Sequence, residues 1–250
     1  MSCIARNQRL TTDAFEVEFP VFDERDNINW QVIFRGGTKL KRNFGIEFTE
    51  PSTRQELLDA LHSIHIQATR FWEELPIEYF FKPYGDNWSP AENVVHLNKS
   101  TRPVALAMRL PSIVHRLLFG VRTDASRSYQ QIKLGYQEAL NKGGQAGGYA
   151  PKRQSLPDNP QRVREKIMHD WNRIWKQLNR AVAGWNDHSL DQLRLPHPLL
   201  GKLSMREMLY FTLYHHQHHL QIVAARANSL IKENTIVSSV KRETGKENCK

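Results

Sequence analysis

Residues 204–223 read SMREMLYFTLYHHQHHLQIV, and their reading decides the fold. Ser204 followed by Glu207 is a capping box, so a helix is predicted to start here and run to about Leu230. On a wheel at about 100° per residue with Met208 at zero, His215 falls near 340° and His219 near 20°. Met205 and Val223 fall near about 60° and Ile222 near about 320° on the same wheel. Arg206, Glu207, Tyr210, Gln217 and Gln221 occupy the opposite arc, between about 160° and 260°. His215 and His219 therefore centre the inward stripe, one turn apart, with His216 and His218 on its flanks. Two imidazoles at i and i+4 on a buried face can bind a transition metal from one helix. Neutral imidazole suits zinc, copper, nickel and iron near neutral pH. A lone inward histidine is more often a core residue; a pair with no nearby carboxylate favours a metal.

Outward from this helix, three more long helices are predicted. Thr53 and Glu56 form a capping box before a helix to about residue 75, ended by Pro76. In WSPAENVVHL, Ser89 suits the N-cap, Pro90 the first helical position and Glu92 the box partner, opening a helix to about Leu110 with a kink at Pro103. A short SIVHRLLF segment closed by Gly120 follows. The long connection 121–159 holds one helix, SYQQIKLGYQEAL, and the glycine-rich run NKGGQAGGYAPK. The third long helix spans about Pro160 to Trp185, with Trp171 and Trp175 in its core stripe, and the loop NDHSLDQLRLPHPLLGKL leads to Ser204. The expected fold is all-α: a four-helix bundle with one long crossover, a scaffold whose interior commonly holds metal sites.

The ends read differently. Residues 1–50 alternate at Phe15, Val17, Phe19, at Trp30, Val32, Phe34 and at Phe44, Ile46, Phe48, a period-two signal for a small three-stranded meander; a poorly ordered leader is the alternative. Residues 51–230 form the bundle, and 231–250 a polar tail expected to be disordered. The cysteines are two, Cys3 and Cys249, which excludes a disulfide framework or a cysteine-rich zinc site. No run approaches the roughly 20 apolar residues of a membrane span, and the N-terminus lacks a secretory core, so a cytoplasmic protein is expected. The net charge of +9 is spread along helices without a nucleic-acid-binding motif, which makes nucleic acid an unfavoured partner.

The combination WSPAENVVHL, RLPSIVHRLLFG and HPLLGKLSMREMLYFTLYHHQHH, over about residues 52–230, resembles the DinB-like superfamily, in its branch of metal-dependent hydrolases and thiol transferases. The resemblance implies a metal held by one histidine on the second long helix and two on the last, which fall here on His96, His215 and His219. The wheel selects the last two independently. It leaves His96 open, because that residue lies off the apolar arc of Val94, Leu97, Val104, Ala105 and Met108. The resemblance also implies one divalent metal, zinc by default with nickel, manganese or iron as alternatives. It implies activation of water or of a low-molecular-weight thiol co-substrate, and a homodimer. His216 is extra to the pattern, and the two ends have no counterpart in it.

Three protein ligands with open positions are the catalytic arrangement. No general base stands out. Glu92 lies one turn before His96 but is explained as a cap partner; His216 and His218 are candidates for proton transfer. Tyr149 and Lys152 follow the glycine run and are placed to cover the site from the crossover. His62, His65, His115 and His169 read as surface or core, and His197 as a loop residue fixed between Pro196 and Pro198. The rival readings are a non-catalytic metal- or ligand-binding bundle and a basic nucleic-acid-binding protein.

Overall fold

A computed structural model of the chain describes the backbone of residues 11–12, 15–18, 29–34, 39–43 and 50–246, and side chains from 50 to 226. The chain divides into two compact units, Met1–Glu47 with Gln221–Lys250, and Phe48–Leu220. In the first, β1 (Thr11–Thr12), β2 (Phe15–Glu18), β3 (Asn29–Phe34) and β4 (Lys39–Asn43) pair in sequence order as an antiparallel meander. Between β2 and β3, Val17 pairs with Val32 and Phe15 with Phe34. A further strand, Lys39–Asn43, pairs with β3 through Val32↔Leu40, and the expected segment Phe44–Phe48 lies outside the described residues. Strand position follows the register against β3, which apolar alternation alone does not encode.

The second unit holds α1 (Arg54–Glu74), α2 (Ile77–Phe80), α3 (Pro90–Ala107), α4 (Ser112–Phe119), α5 (Tyr129–Asn141), α6 (Pro160–Ala183), α7 (Asp187–Gln192), β5 (Arg194–His197), β6 (Gly201–Ser204) and the start of α8 (Met205–Lys246). The long helices α1, α3, α6 and α8 make a four-helix bundle. Its core is filled by Leu57, Leu61, Trp72, Leu97, Trp171, Trp175 and Leu178, each 1% exposed or less. The boundaries follow local chemistry. Thr53 and Ser89 accept from the third helical N–H while Glu56 and Glu92 reach back to the cap, and Pro90 opens α3, where no N–H is required. The backbone of α3 stays helical through Pro103.

Two expectations are corrected here. The loop before α8 is partly ordered: α7 is followed by a hairpin in which Leu195 faces Leu203 and His197 faces Gly201, the glycine taking φ +72° at the turn. The helix expected to end near Leu230, with a disordered tail, instead continues to Lys246. No proline or glycine interrupts the sequence from Lys202 to Thr244.

The polar arc of α8 is also not a solvated face. Arg206, Glu207 and Tyr210 are all buried. Glu207 accepts from the backbone N–H of Ser204 (2.9 Å) and of Arg127 (2.7 Å), and pairs with the Arg122 and Arg127 guanidinium groups. Arg206 pairs with Asp187 and Asp191 and donates to the Ser52 carbonyl. Paired charges can be buried where a lone one cannot. They clamp the crossover and α7 to the first turn of α8, which fixes the histidine-bearing turns that follow.

Candidate metal centre

α3 and α8 bring His96, His215 and His219 together, each at most 7% exposed. The Nε2 atoms of His96 and His219 each lie 3.1 Å from Nε2 of His215. The chemistry of the other ring nitrogens settles where the protons sit. His96 Nδ1 faces the Tyr149 carbonyl at 3.0 Å; a carbonyl only accepts, so Nδ1 carries the proton and Nε2 keeps its lone pair. His219 Nδ1 faces Asn93 Oδ1 at 2.7 Å. The Asn93 amide nitrogen donates to the Ser89 and Trp88 carbonyls, which identifies Oδ1 as the acceptor and leaves His219 Nε2 unprotonated too.

Burial reinforces this state. Desolvation, then the neighbouring histidines, holds His215 well below the usual imidazole range. Desolvation lowers His96 as well, partly offset by its bond to Tyr149. Neutral imidazoles whose lone pairs converge, with the far nitrogens bound to a carbonyl and an amide oxygen, are the pattern of metal-ligating histidines and their outer partners. Tetrahedral bonds of about 2.0–2.1 Å would set the nitrogens roughly 3.3 Å apart and a wider shell would bring them nearer 3.0 Å; the two separations from His215 match this range, and all three ligand nitrogens lie within 4.8 Å of one another.

Beside the triad lies a cavity of about 340 Å³ bordered by Trp88, Tyr149 from the crossover, Pro196 and His197 from β5, and Tyr136 and Phe211. Trp88 stacks on His219 at 6.3 Å and Phe211 on His215 at 4.9 Å, so aromatic faces hold two of the imidazoles from outside. Burial, with Tyr214 beside it, pushes the Tyr136 phenol up to about 12, and it stays protonated.

The remaining sequence candidates fall out as follows. Glu92 is buried and fully occupied: one carboxylate oxygen closes the cap on Ser89 N–H (2.7 Å), the other accepts from Gln154 N–H (2.9 Å). It pins the crossover rather than facing the triad. His216 points into the core, donating from Nδ1 to the Thr212 carbonyl (2.7 Å) and accepting from the Thr101 hydroxyl (3.3 Å), with Trp171 and Trp175 against its ring. His218 borders the cavity. Tyr149 reaches the site through its backbone, while Lys152 is exposed. His62 and His169 are exposed and His115 is buried on the Ala107 carbonyl, whereas His65 is half-buried, stacked on Trp175. Sequence reasoning missed Asn93 and the Tyr149 carbonyl. Asn93, a buried amide one turn before His96, carried a readable signal; a loop carbonyl carries none.

A helical bundle with three converging neutral imidazoles beside an apolar cavity defines the class. The sequence pattern of the DinB superfamily matches residues 53–223, and the chain belongs to that superfamily. A solved four-helix bundle protein, TT2238, superposes with a TM-score of 0.40 at 16% identity, over 69% of this chain and 96% of that one. Among proteins of curated function, none matches the chain. Among the described residues, no helix is long and apolar enough to cross a membrane.

Proposed function

We propose that the protein is a metal-dependent enzyme whose His96, His215 and His219 hold one divalent ion, with zinc the default and nickel, manganese or iron the alternatives. The observation that carries this reading is the proton arrangement. Tyr149 and Asn93 each fix a histidine with its Nε2 lone pair free, and the three Nε2 atoms share one focus. A divalent ion there would supply Lewis acidity, lowering the pKa of a water or thiol and polarising a carbonyl. The reaction class is hydrolysis or transfer of a low-molecular-weight thiol onto an electrophile.

The chain's own residues supply the rest. Asn93 and Tyr149 orient the imidazoles, Trp88 and Phe211 exclude water from their faces, and the cavity receives a small-molecule substrate. His218, on the cavity wall, is the proposed proton-transfer group; Glu92 and His216 are bound elsewhere. The cavity favours a reaction centre over a bare metal store. A cytoplasmic homodimer is the accompanying expectation from composition and family.

Elemental analysis of protein purified at neutral pH without chelators tests the centre. About one equivalent of metal in the parent and little in His215→Ala is expected for three-histidine ligation; a metal-free parent overturns the reading. Metal-dependent turnover of an activated ester, or of an electrophile with added thiol, would establish the enzyme. Loaded protein inert to both would leave a binding bundle.

A further inference from the structure

His197 sits at the end of β5 with 9% of its surface exposed, and it borders the cavity beside the triad. The turn that follows determines its tautomer. Nδ1 lies 3.2 Å from the backbone N–H of Leu199 and 3.1 Å from that of Leu200. Both backbone groups can only donate, so Nδ1 is an acceptor and the ring proton is on Nε2. Among the described residues no protein acceptor meets that Nε2–H. Desolvation lowers the imidazole to about 4, so the ring remains neutral and the tautomer persists across the physiological range. The result is a fixed, uncharged hydrogen-bond donor in the cavity wall. One aromatic ring separates it from the triad: Phe211 touches His197 at 4.2 Å between centroids and His215 at 4.9 Å.

The wall around this donor carries no permanently charged side chain. Among the described residues lining the cavity there is no lysine, arginine, aspartate or glutamate; Val104, Phe119, Leu140 and Leu195 dominate instead. The chain's charge of +9 is therefore not focused here. Away from the triad, the wall offers an anion no counter-charge for the hydration it would lose, which disfavours a charged group on the His197 side. A volume of about 340 Å³ suits a small molecule.

We infer that the cavity takes an uncharged, largely apolar substrate, and that the Nε2–H of His197 selects it by donating to a carbonyl or similar acceptor oxygen. This deepens the proposed function, because it takes the cavity as the substrate side of the metal centre. His197 is a specificity-determining contact, distinct from the ligands and from His218.

The test is binding to chelator-treated full-length protein, so that it reads the cavity whether or not the triad holds metal. Three probes share a nine-carbon skeleton: propiophenone (neutral ketone), propylbenzene (no acceptor) and hydrocinnamate (anion). NMR titration should rank the ketone tightest and the anion weakest. His197→Asn keeps an acceptor for the turn but leaves no donor at the Nε2 position, which its shorter amide does not reach. It should lower ketone affinity about three- to tenfold, the size of one hydrogen bond, and leave propylbenzene unchanged. His197→Gln, which returns an N–H near the Nε2 position, should recover part of the loss. The carbonyl stretch of bound propiophenone in the parent supplies a readout independent of any variant, and should lie below its value in hexane.

Equal affinity for ketone and hydrocarbon, preference for hydrocinnamate, no binding of any probe, or an unshifted carbonyl stretch would each overturn the inference. Failure of the metal centre would show in the elemental analysis and leave these measurements untouched.

Discussion

At the residue scale, Asn93 and His197 turn hydrogen-bond geometry into chemistry. Asn93 Oδ1 holds the proton of His219 on Nδ1, and its amide is anchored to the start of α3. Asn93→Ala should therefore weaken metal binding about 10–100-fold, the usual cost of losing an outer partner of a ligand. Competition with a chromogenic chelator would show it; parental affinity would mean the ligand ring needs no such support. His197 bears on stability through pH. Its folded pKa of about 4 lies below the ordinary 6.5, so above 6.5 both states are neutral and no penalty exists. As pH falls through 6.5, the unfolded chain takes a proton that the folded ring refuses, and stability declines until the folded pKa is reached. The loss should be about 2 kcal/mol by pH 5. His197→Asn, which does not titrate, should remove that part of the slope in urea denaturation at pH 7 and 5. An unchanged slope would refute the burial argument.

At the scale of elements, the first turn of α8 is held by a buried carboxylate. Glu207 is fully enclosed and gathers Ser204, Arg122 and Arg127 around it. Glu207→Gln preserves shape but leaves two guanidinium groups without their anion. Breaking a fully buried pair costs about 3–5 kcal/mol. Because Arg127 is partly solvated, a loss of about 2–3 kcal/mol is expected here, read as a lower urea midpoint with an unchanged slope. A cost under about 0.5 kcal/mol would show that the cluster is only a solvated surface pair. The same cluster explains what the wheel could and could not read. Period and polarity placed His215 and His219 on one inward face, because both lie on a single helix. They also set Arg206 and Glu207 outside, because periodicity has no way to record that Asp187, Asp191, Arg122 and Arg127 arrive from other segments. His96 stood off its own apolar arc for a related reason. Its face of α3 meets the histidines of α8 and the crossover, not hydrocarbon. The β5–β6 hairpin escaped notice because Pro196 and Pro198 read as loop punctuation. Yet Leu195 and His197 alternate inward, and Gly201 marks the turn.

At the scale of the whole molecule, the bundle and the proposed metal are thermodynamically coupled. His96 and His215 belong to different helices, separated by the crossover, so the site is complete only when α3 and α8 are docked. Without an ion, the docked state confines converging lone pairs in a desolvated interior where at most one shared proton can relieve them. Ligation that occurs in the folded state alone adds stability by mass action, about 2.7 kcal/mol when free metal is a hundredfold above its dissociation constant. For a chain of this length that corresponds to a rise in Tm of roughly 5–10 °C. Calorimetry of metal-loaded and chelator-stripped protein at pH 7.5 should show that difference. His215→Ala, with an imidazole removed and the repulsion relaxed, should melt at the same temperature with or without chelator. If stripped and loaded parent melted together while elemental analysis still found one equivalent, the ion would be bound as tightly by the unfolded chain, which three histidines so far apart in sequence cannot achieve. Coincident melting would thus move the metal off the triad and onto some local, fold-independent site.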